Sequence, residues 1–398
     1  MLWVPRVILS PLYLVSEYVI RAPILAVLPA AEHAELPRKV YDFFTFGSQH
    51  QAGIVPVGYF EFDANPSVGV YGFWHDAFAK GNDWSLHTEV WPSDWYAMSM
   101  KESAQLDDRT SVLVHVSGVH RPDRVFFGIG PRTLQSSKSR FTEAVTEEGV
   151  MLDWKYLPRS HLQLTAGLRS ESLGPGRFGE DPNIQQEAAT GAFAVPYGYE
   201  GRYTVQYNRV LASLDTRKPW PAPGSGVLVE AKAEQDSDVT ASPKAGWIHY
   251  GAKASAFLDL DEHQHVVSLS GATMFVDPLG DSPIPFTDLV ALGGDAPMRG
   301  YLPRRMLDRS SVVVALHYVW PIAPWLGGTM EAALGNVFGQ HLQGFQPDLL
   351  RYSGDIGITT VGVGEFPIEA VVGCGSETFA QGGQIDSVRA TLSVAHGF

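Results

Sequence analysis

The fold of this chain is decided by stretches such as residues 247–260, WIHYGAKASAFLDL, in which two kinds of side chain alternate. The even-numbered positions carry Ile, Tyr, Ala and Leu, whereas the odd-numbered positions include His249, Lys253 and Asp259. Successive side chains of a β-strand point to opposite faces, so this strand has one apolar face and one polar face. The pattern predicts a strand that separates two different environments.

The same alternation recurs along most of the chain, in segments bounded by Gly, Pro, Asn, Asp or Ser. Strands of a soluble sandwich run shorter, whereas these segments are long enough to cross a bilayer at a tilt of about 45°. We predict sixteen segments, at residues 52–62, 67–78, 83–91, 94–104, 110–119, 139–156, 160–172, 202–215, 225–237, 246–259, 264–277, 309–321, 326–336, 351–361, 366–375 and 386–397.

The connections between these segments indicate a membrane barrel. Long connections follow odd-numbered segments and short turns follow most even-numbered ones, as in outer-membrane barrels. The sequence therefore predicts an all-β fold, a sixteen-stranded antiparallel transmembrane β-barrel over residues 52–398, in the bacterial outer membrane. We also expect an aromatic girdle at the membrane interfaces, made of Trp84, Trp91, Trp95, Trp220, Trp247, Trp320 and Trp325.

Residues 1–51 precede the predicted barrel and follow a different pattern. Residues 7–28 are apolar but are interrupted by proline and by the i,i+4 pair Glu17 and Arg21. This favours a helix lying on a membrane surface or against the protein, with a poor signal peptide as the alternative. Residues 36–46 indicate a short amphipathic helix, either a linker or a plug reaching into the lumen. We predict a periplasmic or interfacial helical segment.

Composition and charge exclude several classes of function. The net charge is −14 and no Lys/Arg-rich run occurs, so we expect no nucleic-acid partner. Cys374 is the single cysteine, which excludes an internal disulfide. Without a Gly-x-Ser-x-Gly motif we expect no enzyme, no catalytic residues and no cofactor. His263 and His265 stand among acidic residues, but in a predicted tight turn, and we predict no metal site.

One long connection carries an arginine among glycines, at residues 292–301, LGGDAPMRGY. Its core is Met298-Arg299-Gly300-Tyr301. Glycine after the arginine allows a tight turn or a close approach to another wall, so the loop is suited to presenting one guanidinium group to an acidic or carbonyl target. A solvated arginine in an ordinary turn is the alternative.

With the segments numbered, this loop joins strands eleven and twelve, and the chain resembles the BamA/TamA superfamily of sixteen-stranded outer-membrane barrels, the bacterial surface antigen family. The resemblance is carried by Arg299-Gly300-Tyr301, by residues 126–130, FFGIG, by residues 335–338, GNVF, and by a last strand ending in Phe398. It implies a loop folded into the lumen and non-covalent work in protein insertion or translocation. The implied partners are outer-membrane lipid and unfolded outer-membrane client proteins.

The chain departs from the family pattern in two ways. The periplasmic POTRA modules that receive clients are absent from residues 1–51, so a separate periplasmic partner bound through that segment is one hypothesis. The family's lumenal aspartate, two positions before Gly335, corresponds here to Ala333. Glu331 lies one pleat further along the same face, about 6.6 Å away. We therefore expect Glu331, near Gly335, to pair with Arg299.

The seam between the first and last strands is predicted to be weak. Gly53, Pro56 and Gly58 lie in strand one, and proline cannot donate a hydrogen bond to a ladder. Strand sixteen ends in Gly397 and Phe398, where glycine lowers strand preference. A weak seam suits sideways release of a client into lipid. The alternative function is a passive pore or structural barrel without client insertion.

Overall fold

The computed structural model describes residues 36–47, 49–91, 95–218, 224–241, 245–360 and 368–394. Sixteen long strands form one closed antiparallel barrel, which confirms the predicted fold. The strands are β1 Ala52–Glu61, β2 Ser67–Trp74, β3 Asn82–Trp91, β4 Trp95–Asp107, β5 Thr110–Phe126, β6 Ser139–Leu157, β7 Ser160–Pro175, β8 Arg202–Asp215, β9 Gly226–Asp238, β10 Ala245–Asp259, β11 Val266–Pro278, β12 Ser310–Ala323, β13 Leu326–Phe338, β14 Arg351–Thr360, β15 Ile368–Thr378 and β16 Ile385–Val394.

Shorter elements decorate this barrel. The described α-helices are α1, Leu36–Phe44, and α2, Ile184–Ala189. None of the described helices is long and apolar enough to cross a bilayer. Short strands lie at Thr45–Phe46, Val290–Leu292 and Met306–Asp308, and single 3-10 turns at Gln135–Ser137, Phe286–Asp288, Gln340–Leu342, Pro347–Leu349 and Phe379–Gln381.

The two faces of the wall differ as the alternation predicts. Leu269 of β11 is 57% exposed on the outer face and lies directly opposite Leu316, halfway along β12. The next residue, Ser270, faces the lumen, opposite Ala315. Buried charged residues line the inner face, whereas the exposed apolar side chains on the outside include Val114, Leu168, Val229, Val314, Leu334, Val372, Val388 and Leu392.

The prediction of a tryptophan girdle at the membrane interfaces is wrong for Trp91, Trp95 and Trp247. Trp91 and Trp95 stack on each other inside the lumen, with the guanidinium group of Arg121 4.3 Å from the centre of the Trp95 ring. Trp247 is also buried on the inner face. The Arg121 cation attracts the rings of Trp91 and Trp95 into the lumen, and Trp247 packs there in an apolar cluster. Trp220 lies outside the described residues.

Strand β5 is longer than predicted, because a bulge interrupts the alternation of apolar and polar residues in its second half. The register with β6 shifts between Arg121 and Arg124, and pairing then continues to Phe126. An extra residue in one strand moves the following side chains to the other face. The connection predicted at residues 120–138 is therefore shortened to residues 127–138.

Long connections at one end of the barrel pack together over the lumen. Aromatic and aliphatic side chains from three strands and two connections form one buried cluster there, which comprises Phe126, Phe141, Leu173, Ile184, Phe286 and Leu307. The connection between β11 and β12, residues 279–309, reaches into the lumen. Its Met298 is fully buried against Val313 and Ala315 of β12 and Ala333 of β13. We call residues 279–309 the lumenal loop.

At the other end, α1 lies against the inner face of the wall. Phe44 packs against Val55 of β1 and Phe73 of β2. Residue 53 is glycine because a Cβ atom there would overlap the Phe73 ring. The helix therefore contacts the mouth of the barrel from inside, whereas Phe43 is 78% exposed. The segment of residues 7–28, predicted to be a surface helix, lies outside the described residues.

A charged side chain should destabilise the barrel far more on the outer face, which contacts lipid, than on the inner face. Leu269→Arg places a guanidinium group in lipid and should lower the free energy of unfolding by about 2–4 kcal/mol. Ser270→Arg, one residue along, should change it by much less because the new side chain enters the polar lumen. Urea unfolding in lipid vesicles measures both, and equal losses would contradict the assigned faces.

Candidate functional site

The tip of the lumenal loop lies against the last three strands, backbone to backbone. A Cβ atom on Gly300 would overlap the carbonyl group of Cys374 in β15. The amide of Gly300 donates to Ser353 Oγ of β14 at 3.0 Å, and its carbonyl accepts from Ser387 Oγ of β16 at 2.8 Å. Only glycine fits this approach, so Gly300 fixes where the tip can dock.

Tyr301 completes the docking with its hydroxyl group. The hydroxyl oxygen accepts from the Ser376 amide at 2.8 Å and faces two carbonyl acceptors, Tyr352 at 2.8 Å and Ser376 at 2.7 Å. Its ring covers Gly375, where a Cβ atom would overlap it. Burial raises the pKa of Tyr301 to about 12, so the hydroxyl stays protonated and can donate.

Arg299 has a different partner from the one expected. Its Nη1 donates to Glu369 Oε1 of β15 at 2.8 Å, and the structure does not bring it into an ion pair with Glu331. The reason is that Met298 packs against Ala333 and fills the place beside β13 with an apolar side chain. Arg299 then turns along β15. Glu331 stays buried, directly opposite Asp355 of β14.

Gly335 serves the barrel wall rather than the arginine. A Cβ atom on Gly335 would lie 2.9 Å from both the Val312 carbonyl oxygen and a methyl carbon of Val313. Both residues belong to β12. Gly335 thus permits close packing of two strands beside the Met298 contact.

The other two motifs of the family pattern meet the same loop. Arg305 donates to the side chain and the carbonyl group of Thr133, at 2.7 and 3.0 Å, and its guanidinium group lies 4.4 Å from the centre of the Phe127 ring. Asn336 donates to the Pro131 and Leu349 carbonyl groups at 3.0 and 2.5 Å. The connection at 127–138 is therefore fastened both to the lumenal loop and to β13.

The base of the lumenal loop is anchored on the opposite wall. Tyr203 of β8 donates to Asp288 Oδ2 at 2.6 Å, and Arg169 of β7 forms an ion pair with the same carboxylate. His249 of β10 reaches the Asp288 carbonyl through Nε2 at 2.7 Å and Asp236 through Nδ1 at 3.2 Å. The carbonyl can only accept, so Nε2 carries a proton. The loop therefore crosses from β7–β10 to β14–β16.

Among the described residues, Glu234, Asp236 and His249 bring their ligand atoms within 4.8 Å of one another, as a metal site would require. Arg209 and Lys232 already bind Glu234, at 2.5 and 3.0 Å. Both ring nitrogens of His249 are engaged as described above. The arrangement fits a network of ion pairs that holds the loop, because a metal ion would have to displace these cations.

The predicted histidine cluster lies in the turn between β10 and β11. His265 Nδ1 lies 2.7 Å from the Tyr318 hydroxyl, and His263 Nδ1 lies 2.5 Å from the Asp261 carbonyl oxygen. The two imidazoles thus bond to protein groups in different directions.

The seam is paired along a short described stretch. Val394, Ser393, Leu392 and Thr391 of β16 lie opposite Gly58, Tyr59, Phe60 and Glu61 of β1. Pro56 is exposed on the outer face and lies opposite Val70 of β2; it is not among the four described seam pairs. Residue 53 is glycine because the Phe73 ring leaves no room for a Cβ atom. Gly397 and Phe398 lie outside the described residues.

Sequence analysis missed Arg389, a residue of β16 that is only 7% exposed. Its guanidinium group forms an ion pair with Glu61 and donates to the Tyr59 hydroxyl at 3.1 Å, both in β1. It also donates to the carbonyl groups of Gly294 and Arg299 in the lumenal loop. Alternation already placed Arg389 on the polar face of the last strand, which was the available signal.

Cavities remain on both sides of the loop tip. One of about 340 Å³ is lined by Lys232, Lys253, Glu230 and Glu331 together with apolar loop residues. The other, of about 480 Å³, lies between the tip and the seam and is lined by Arg121, Arg124, Arg389, Glu61, Glu89 and Glu369. The second cavity carries charges of both signs beside the seam.

The revised partner of Arg299 can be tested with a double-mutant cycle. Arg299→Ala and Glu369→Ala should be sub-additive by about 1 kcal/mol in urea unfolding, because removing either residue already breaks the pair. Arg299→Ala with Glu331→Ala should show a clearly smaller coupling energy. The opposite order would restore Glu331 as the partner.

Comparisons with known proteins bear on the fold. No family model and no curated protein matches the chain in sequence. The barrel is similar to BamA from Haemophilus ducreyi lacking POTRA domains 1–3, with a TM-score of 0.59 and 12% identity over 86% of this chain and 70% of that one. It is also similar to CdiB from Acinetobacter baumannii, with a TM-score of 0.54 and 9% identity over 86% and 59%.

CdiB from Escherichia coli gives a TM-score of 0.52 and 9% identity over 86% of this chain and 62% of that one. This chain thus spans less than two thirds of either CdiB chain. BamA and CdiB are sixteen-stranded barrels of the BamA/TamA superfamily. At 9–12% identity, these similarities show that the chain shares the barrel fold of BamA and CdiB, as its strand pattern predicts.

Proposed function

We propose that this chain is a bacterial outer-membrane barrel that assists the insertion or translocation of proteins without covalent chemistry. The observation that carries the proposal is the docking of Arg299-Gly300-Tyr301 against β14–β16, beside the junction of β16 with β1, with Met298 packed against β12 and β13. A loop in that position can respond to, or restrain, movement of the closing strands. Similarity to BamA and CdiB supports the general class of activity, and the partners are unfolded outer-membrane client proteins and outer-membrane lipid.

Sideways release through the wall requires a place where strands separate at low cost. Each strand pair is joined by backbone hydrogen bonds, so the shortest ladder separates most easily. We place this point of separation at the junction of β16 with β1, where Val394 to Thr391 lie opposite Gly58 to Glu61 and the chain beyond Val394 lies outside the described residues. In the proposed orientation, the end with long connections faces outside and α1 faces the periplasm.

Locking the seam tests this function. Phe60→Cys with Leu392→Cys places two cysteines directly opposite each other across the seam, in a Cys374→Ala background. The oxidised barrel should lose insertion of a urea-unfolded small outer-membrane barrel into proteoliposomes, and reduction should restore it. The control is Leu269→Cys with Leu316→Cys, an opposed pair away from the seam that should retain activity when oxidised. Full activity of the seam-locked barrel would sink the proposal.

A passive pore is the alternative function, and the cavities beside the loop tip are the observation that favours it. The same locked barrel distinguishes the two, because a pore needs no opening of the wall. Single-channel recording of the locked barrel in planar bilayers should then give steady conductance equal to that of the reduced form. Insertion that depends on the seam, without such steady conductance, supports the assembly function.

A separate periplasmic partner, bound through residues 1–51, would receive client proteins for the barrel. The exposed side chain of Phe43, next to the docked Phe44, offers an apolar contact for it. Purified barrel with residues 1–51 should retain a periplasmic protein on an affinity column that barrel beginning at Ala52 does not. Identical eluates from both columns would remove the partner hypothesis.

A further inference from the structure

Arg389 stands where three parts of the barrel meet. Its own strand is β16, its Nε and Nη2 face β1 at Glu61 and Tyr59, and its Nη1 faces the lumenal loop at the Gly294 and Arg299 carbonyl groups. A guanidinium group presents five donors in a rigid planar fork, so it can serve partners on both sides at once. Tyr59 also donates to Glu61 Oε2 at 2.9 Å, which orders the β1 side.

The position of Arg389 along the seam matters as much as its partners. The register pairs of β16 with β1 end with Thr391 opposite Glu61, and the Phe62 amide then donates to the Ala390 carbonyl at 3.2 Å; Arg389 is the next residue toward the end with long connections. Directly opposite it in β15 is Gly373, which a Cβ atom would bring within 3.0 Å of Gly300. The last seam pair and the docked loop tip therefore flank the same side chain.

The partners of Arg389 are buried and depend on it. Glu61 is 2% exposed, and a buried carboxylate that loses its cation is strongly destabilised. The Gly294 and Arg299 carbonyl groups belong to the docked tip. Separation of β16 from β1 at Glu61 breaks the bonds of Arg389 to β1. Withdrawal of the tip breaks its bonds to the two loop carbonyl groups.

We infer that Arg389 is the positioning residue that couples the docked state of the lumenal loop to closure of the seam. A docked tip holds the guanidinium group toward Glu61 and Tyr59 and keeps the seam closed. When the tip is undocked, the guanidinium group loses its two bonds to the loop carbonyl groups. The backbone amides at the seam can then exchange with solvent. The consequence for client release rests on the proposed function, whereas the coupling itself is measured without a client.

Hydrogen exchange of the full chain in nanodiscs tests the coupling through a residue that does not touch β1. Tyr301→Phe removes the hydroxyl that docks the tip on β15. We expect residues 52–61 to exchange several-fold faster in this variant than in the parent. The matched control is Tyr203→Phe, the same change at the base anchor of the loop, which should speed exchange near Asp288 and leave residues 52–61 unchanged.

The route of the coupling is tested at Arg389 itself. In Arg389→Gln, residues 52–61 should already exchange fast, and adding Tyr301→Phe should change them no further. Arg389→Lys covers the case in which Arg389→Gln does not fold, since it keeps the charge for Glu61 but cannot also reach both loop carbonyls. In that background Tyr301→Phe should again have no effect on residues 52–61.

Two results would overturn the inference. One is faster exchange in Tyr301→Phe confined to the loop and β15, with residues 52–61 unchanged. The other is an undiminished effect of Tyr301→Phe in the Arg389→Lys background. If hydrogen exchange shows the coupling but the barrel with the locked seam still inserts clients, the proposed function is rejected. The role of Arg389 then stands.

Discussion

The arrangement of the lumen depends on one contact between two backbones, that of Gly300 with β15. Because no side chain intervenes at Gly300, Gly373 or Gly375, the peptide groups of the tip come within reach of serine hydroxyls on β14 and β16. The directions of the Met298, Arg299 and Tyr301 side chains follow from that approach. A side chain at Gly300 would lift the tip from the wall and break these contacts together.

The loop also completes the hydrogen bonding of the wall. The inner faces of β14–β16 bury Arg351, Arg389 and the Ser376 amide, and a buried polar group without a partner costs roughly 1–3 kcal/mol. Carbonyl groups of the loop and of the connection at 127–138 accept from both arginines, and the Tyr301 hydroxyl accepts from the amide. Withdrawal of the loop would therefore expose groups that water or an incoming chain must satisfy. This links the state of the loop to what enters the lumen.

Strand number and facing could be predicted from the sequence, because a period of two between lipid and a polar lumen leaves a strong pattern. The end of β5 could not, since the bulge at Arg121–Arg124 breaks that pattern locally. The docking motif was identified, but Glu331 and Glu369 both have lumenal parity. The choice between them depends on the position of Met298 against Ala333, which is a property of three-dimensional packing. The role of Arg389 depends on the register of β16 with β1, which alternation within one strand does not specify.

The most direct test of the docked loop is a nuclear Overhauser effect between the Tyr301 ring and Gly375. Their close approach in the structure predicts a strong cross-peak between the ring protons and the Gly375 Hα protons, in deuterated barrel with protonated Tyr and Gly in lipid nanodiscs. The cross-peak should persist in Arg299→Ala, because Gly300 and the Tyr301 hydroxyl still hold the tip. Absence of the cross-peak in the parent barrel, with Tyr301 ring resonances broadened by a water-soluble paramagnetic agent, would contradict a loop docked on β15.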